Sequence, residues 1–175
     1  MENLVFIGDS LTEYFDWQRR FPAYNVLNLG VSGETIEGLE TRIDRILLAV
    51  HDPDVIFIMT GINNIAMEDF DILQTYKQII NRLFSSYKKA IIVVQGLLPL
   101  NLSWIDNARI REINTGLEAL AKNFTAGYLD VYSLFCDAAG TVNPACLLDD
   151  GVHLSDRGYE VWSNAVECFL RDKKP

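Results

Sequence analysis

Short unbroken apolar runs alternate with longer stretches in which apolar residues recur every three or four positions. The short runs cover residues 4–7, 26–29, 55–59, 90–94 and 127–131. The first, third and fourth are continuous rather than alternating, which is how strands covered on both faces read. Gly, Pro or Asn follows most of them, as strand ends require. The longer stretches carry a helical period. Residues 35–50 present Ile36, Leu39, Ile43, Ile46, Leu47 and Val50, and Pro53 stops the pattern. Residues 69–87 repeat it with Ile72, Tyr76, Ile79, Ile80, Leu83 and Phe84, and residues 104–124 with Ile105, Ile110, Ile113, Leu117, Leu120 and Phe124. The last helix is predicted over 155–170, with Ser155 as N-cap and Tyr159, Trp162, Val166 and Phe169 on its apolar face. Strands alternating with helices predict a parallel sheet with helices on both faces, a three-layer α/β/α arrangement. Right-handed crossovers restrict it to a doubly wound sheet, and five strands fit the order 2-1-3-4-5.

Composition narrows the function classes without changing that picture. With 175 residues, 49% hydrophobic and 22% charged, the chain reads as one globular domain over residues 1–175. Fifteen Lys and Arg against 24 Asp and Glu leave a net charge of −9, with no basic block. A nucleic-acid partner and a polybasic membrane anchor are therefore disfavoured. No apolar run approaches the roughly 18–20 residues of a membrane span. Met1-Glu2-Asn3 runs straight into the first strand without a basic flank or cleavage site, so a cytoplasmic protein is expected. Cys136, Cys146 and Cys168 form no disulfide framework and no CxxC zinc pair.

In an open α/β sheet, ligands bind beyond the carboxyl ends of the strands where the strand order reverses. In the order 2-1-3 the segments after the first three strands are neighbours there. After the first strand comes Gly8-Asp9-Ser10-Leu11, a sharp exit that lifts a hydroxyl above the sheet or merely caps a helix. After the second comes Gly30-Val31-Ser32-Gly33, whose glycines permit close backbone approach; it lacks a dinucleotide or Walker fingerprint. After the third comes Gly61-Ile62-Asn63-Asn64, an Asx turn or a source of uncharged N–H donors. Near the C-terminus, Asp150-Gly151-Val152-His153 puts a carboxylate and an imidazole three residues apart. His51, the other histidine, is expected to cap a helix C-terminus. A serine hydroxyl becomes nucleophilic only when a positioned base takes its proton and a carboxylate orients that base. Ser10, His153 and Asp150 meet this need. The Ser10 and Gly30 amides and the Asn63 side chain are the candidate oxyanion donors.

On these residues the chain resembles the GDSL family of esterases in its SGNH hydrolase form, whose four letters match Ser10, Gly30, Asn63 and His153. The resemblance spans all four blocks in family order. It implies a flavodoxin-like fold, hydrolysis of esters without metal or cofactor, Ser10 as nucleophile, Asp150 and His153 as its partners, and Gly30 and Asn63 as oxyanion donors. Asn64 departs from the Asp common at that position; a similar Asn-Asn pair occurs in members resembling platelet-activating-factor acetylhydrolases. The expected substrate is a small-molecule ester, a short acyl or acetyl ester of a lipid or sugar alcohol, with a thioesterase or lysophospholipase of the same family as the alternative. A nucleotide-binding flavodoxin-like module and a catalytically silent interaction domain are the rivals from other classes. Leu11, Asn64, Leu98, Pro99, Leu100, Leu102 and Trp104 are candidate pocket walls. The stretch after strand four serves equally as pocket wall, core loop or the surface of a homo-oligomer.

Overall fold

The computed structural model describes residues 1–173. In chain order the elements are β1 (Asn3–Gly8), α1 (Ser10–Glu13), α2 (Trp17–Arg20), β2 (Asn25–Gly30), α3 (Ile36–Ala49), β3 (Val55–Met59), α4 (Ile62–Ala66), α5 (Leu73–Ser86), β4 (Ile91–Gln95), α6 (Asn107–Asn123), β5 (Gly127–Leu129) and α7 (Asp156–Asp172). Single 3₁₀ turns cover Tyr132–Phe135 and Pro144–Cys146. The strands form one parallel sheet in the order β2-β1-β3-β4-β5. This is the predicted doubly wound α/β architecture.

The central strands β1 and β3 are buried along almost their whole length, as their unbroken apolar runs require. The edge strand β2 is half exposed. α3, α5 and α6 pack side by side. α2 and α7 meet through an edge-on contact of Trp17 and Trp162, centroids 4.9 Å apart, and Trp17 stacks on Phe6 of β1 at 4.0 Å. Such pairs add about 0.5–1.5 kcal/mol each beyond area burial.

Boundaries differ from the periodic reading where polar caps decide them. α5 starts at Leu73 rather than 69, because the Asp69 carboxylate is drawn into bonds with Asn64 and the Asp71 amide. α6 starts after Asp106, whose side chain accepts the Ala108 N–H, rather than at 104. β5 stops at Leu129, two residues short of the predicted run. The short helices α1, α2 and α4 carry too few residues to show a period. His51 lies exposed just past the end of α3, where Val50 forms the C-cap. All three cysteines are free thiols. Among the described residues, no helix is long and apolar enough to cross a membrane.

Candidate functional site

The register of the sheet brings the site segments to one level. Gly8 at the end of β1 pairs with Gly30 of β2 and with Met59 of β3, so the chain leaves all three strands side by side. Asp9 then caps α1, its Oδ1 accepting the Leu11 N–H at 3.1 Å, and Ser10 opens the helix. At that first helical position the Ser10 N–H has no acceptor within the helix. Three neighbours hold this single turn in place. Trp17 Nε1 donates to Thr12 O at 3.0 Å, Tyr159 Oη donates to Leu11 O at 3.1 Å, and Asn28 Nδ2 donates to Thr12 O at 2.9 Å.

The turn before α7 presents the other half of the site. Gly151 takes φ 71°, a left-handed conformation that favours glycine, and its N–H donates to Leu148 O. Asp150 Oδ1 accepts the backbone N–H groups of Val152 and His153, both at 2.9 Å. Its Oδ2 lies 2.6 Å from His153 Nδ1, and His153 Nε2 lies 3.1 Å from Ser10 Oγ. Partial burial pushes the Asp150 carboxyl up. The His153 ring and the two backbone donors outweigh it and hold Asp150 below the usual carboxylate range. An ionised carboxylate only accepts, so Nδ1 carries the proton and the Nε2 lone pair faces Ser10. The structure thus brings together Ser10, His153 and Asp150, which lie up to 143 residues apart.

The candidate donors sit differently. Asn63 Nδ2 donates to Glu34 O at 2.9 Å, which uses one of its two N–H groups. The Gly30 N–H donates to Asn28 Oδ1 at 3.0 Å. Gly30 is also where β2 touches α1, since a Cβ there would lie 2.3 Å from Glu13 N. Asn28 therefore joins the segment after β2 to the carbonyl end of α1. Arg42 clamps the same segment from α3, donating to both carboxylate oxygens of Glu34 at 2.6 and 2.7 Å and to Leu29 O at 2.9 Å.

Asn64 is buried and tied to three residues in two segments, the start of α3 and the loop before α5. Its Oδ1 accepts the Ile36 N–H at 2.9 Å, and its Nδ2 donates to Glu37 Oε2 at 3.0 Å and Asp69 Oδ2 at 2.9 Å. The Asn64 bond holds the Glu37 carboxyl below its ordinary range. Two carboxylates converge here, which explains the amide: an Asp would add a third negative charge and remove both donors. Asn64→Asp is expected to lower stability by about 1–3 kcal/mol near neutral pH. The deficit should shrink in acid as the carboxylates come to share a proton. Thermal denaturation across pH checks this, and an unchanged Tm would contradict it.

Of the candidate pocket walls, Leu11, Leu98 and Leu100 belong to the core at 1% exposure, Pro99 is buried beside them, and Leu102 is half-buried. Asn107 clamps the Leu100 backbone through both its N–H and its carbonyl, and Asn101 N donates to Gly151 O at 2.8 Å. That stretch braces the turn bearing Asp150 and His153. Trp104 reaches solvent, its Nε1 donating to Ala66 O at 3.3 Å. Tyr14, absent from the sequence-based candidates, stacks on the His153 ring at 5.5 Å, and its hydroxyl lies 2.7 Å from Ser32 Oγ. Nothing in the sequence marked it, because α1 is a single turn, ending at Glu13 with Tyr14 as its C-cap, and shows no period.

The fold is a doubly wound α/β sheet that carries this cluster over its switch point. The sequence profile of the GDSL-like Lipase/Acylhydrolase family matches residues 6–161, and the chain belongs to that family. Platelet-activating factor acetylhydrolase IB subunit alpha1 of Bos taurus is 28% identical over 175 residues, covering 95% of this chain and 74% of that protein. The alpha2 subunit of Rattus norvegicus is 26% identical over 165 residues, covering 90% and 71%. A solved structure described as a platelet activating factor from Streptococcus pneumonia superimposes with a TM-score of 0.88 at 26% identity, covering 97% and 84% of the two chains. An acetyl xylan esterase from Geobacillus stearothermophilus, at 22% identity and TM-score 0.75 over 97% and 93%, shares the fold.

Proposed function

We propose that the chain is a serine esterase that cleaves short-acyl carboxylic esters, acetyl esters foremost, through an acyl-enzyme. The hydrogen-bonded chain from Ser10 Oγ through the His153 imidazole to Asp150 carries this reading. Ser10 attacks the ester carbonyl as its proton passes to His153 Nε2. Asp150 keeps Nδ1 protonated and stabilises the imidazolium that results. The new C–O bond puts negative charge on the carbonyl oxygen. The Ser10 amide and the second N–H of Asn63 receive it, each such donor contributing about 2.7–4 kcal/mol to the transition state. Gly30 is the third donor, reached by a three-centre bond shared with Asn28 Oδ1. The tetrahedral intermediate collapses, the alcohol leaves with the proton from His153, and water releases the acyl group by the same route. The preference for acetyl rests on the relatives named acetylhydrolases.

A fluorophosphonate that phosphonylates activated serines tests the mechanism. One adduct per chain is expected, on the peptide containing Ser10, with protection by an acetyl ester. A label on another residue, or none, sinks the reading. In a p-nitrophenyl ester series, kcat/KM should be highest for acetate and fall with acyl length.

A further inference from the structure

Among the described residues, Asp9 is the one acidic residue with no exposed surface. Its Oδ1 accepts the Leu11 N–H, while Oδ2 is fully buried without a hydrogen-bond partner. Two more buried oxygens share that condition, Thr12 Oγ1 and Thr60 Oγ1. Topology gathers the three. Gly8 and Met59 are register partners, so Asp9 and Thr60 leave adjacent strands together. Thr12 overhangs the same strand ends: a Cβ on Gly8 would lie 2.2 Å from Thr12 Oγ1 and 2.4 Å from Met59 O.

The charged side chains that act on this spot are Glu34, which opposes ionisation, and His153, which favours it. Glu34 approaches from the turn between β2 and α3, His153 from the turn before α7, Tyr76 from α5 and Tyr159 from α7. The two phenols are pushed up by burial first and by Asp9 second, so they stay neutral. An ionised carboxylate here would have only backbone N–H groups, those of Leu11 and of Asp9 itself, to offset its burial and no partner at Oδ2, an expensive arrangement in a dry interior. A carboxylic acid fits the same place. It keeps Oδ1 as an acceptor for Leu11 and leaves no net charge on an oxygen that is closed off from water. Burial pushes Asp9 up to about 7; Glu34 adds to the rise, while the Leu11 N–H and His153 work against it.

We propose that Asp9 is a positioning residue held as a neutral carboxylic acid, capping the one-turn helix that carries Ser10, and that its ionisation loosens that helix. Only the effect on activity rests on the serine esterase reading. The folded group titrates above its ordinary 3.8. The stability it contributes is therefore whole in acid and is lost as pH rises through about 7.

The test compares wild type, Asp9→Asn and Asp9→Ala from about pH 4 to about pH 9, a range spanning both ordinary and shifted carboxyl titrations. The amide mimics the neutral acid without ionising. The Tm of Asp9→Asn relative to wild type should climb by several degrees as pH rises and level off above about pH 8. The ratio of their kcat/KM values should climb over the same range. Asp9→Ala should melt below Asp9→Asn throughout. In wild-type protein, the ¹³C carboxyl resonance that Asp9→Asn removes should titrate near neutrality. A Tm difference independent of pH, or an Asp9 resonance titrating near 4, would overturn the proposal. If neither variant folds, the wild-type resonance, assigned through bonds, decides alone. Melting and resonance readouts need no turnover, so a failure of the esterase reading is told apart from a failure of this one.

Discussion

Ser10→Ala is expected to reduce hydrolysis of p-nitrophenyl acetate by roughly 10⁴-fold or more while the protein stays folded. Ser10 Oγ supplies the atom that bonds to the acyl carbon in the proposed mechanism, and His153 Nε2 lies 3.1 Å from it. A loss of that size corresponds to about 5 kcal/mol of transition-state stabilisation. The structural cost is small by comparison. The substitution removes one partly buried hydrogen bond, worth about 1 kcal/mol. Alanine suits the first turn of α1, and the Asp9 cap and the Trp17, Tyr159 and Asn28 contacts are all made to other residues. Steady-state kinetics beside far-UV circular dichroism separates the two effects. A variant that keeps most of its turnover would remove Ser10 from the chemistry.

Gly30→Ala is expected to damage fold and activity together, for a reason unrelated to the peptide N–H. A Cβ at Gly30 would lie 2.3 Å from Glu13 N, 2.7 Å from Glu13 Cα and 2.8 Å from Asp9 O. All three are backbone atoms and cannot rotate aside. Relief requires β2 and α1 to separate, which costs about 1–3 kcal/mol in a well-packed region. The movement shifts Ser10 against His153, and a displacement of about 1 Å costs on the order of 10²-fold in rate. Calorimetric Tm and kcat/KM, measured on the same preparation, should both fall. An alanine variant matching wild type in both would mean that α1 and β2 do not pack rigidly.

The backbone plan was legible because burial on both faces leaves a direct mark on composition. β3 is five consecutive apolar residues, and the predicted and observed bounds coincide. Helix ends were less legible. Asp69 and Asp106 act through bonds to particular amides, and periodicity carries no information about those. Ser155 was the exception, a cap visible in sequence, and its Oγ accepts the Gly158 N–H at 3.2 Å. In the site, residue types after the first and third strands pointed to Ser10 and Asn63, and the three-residue spacing near the C-terminus pointed to Asp150 and His153. Asn28 and Arg42 were silent, because each acts on backbone of a separate segment, and nothing local in sequence marks such a bond. Leu98 and Leu100 were ambiguous for a related reason: an apolar residue reads the same in a pocket wall as in a core.

What the chain order alone determined was the alternation of strand and helix, hence the doubly wound sheet, and the chemistry available at each strand end. Those follow from local periodicity and from side-chain type. What only the tertiary structure decided was which groups meet and which are already engaged. Parallel pairing aligned Gly8, Gly30 and Met59. That alignment brought Asn28 onto the Thr12 carbonyl of α1 and Asn64 beside the Glu37 carboxylate of α3. It also closed Asp9 away from water. Hydrogen bonds and desolvation depend on distances across segments far apart in the chain, and those distances exist only once the sheet has formed.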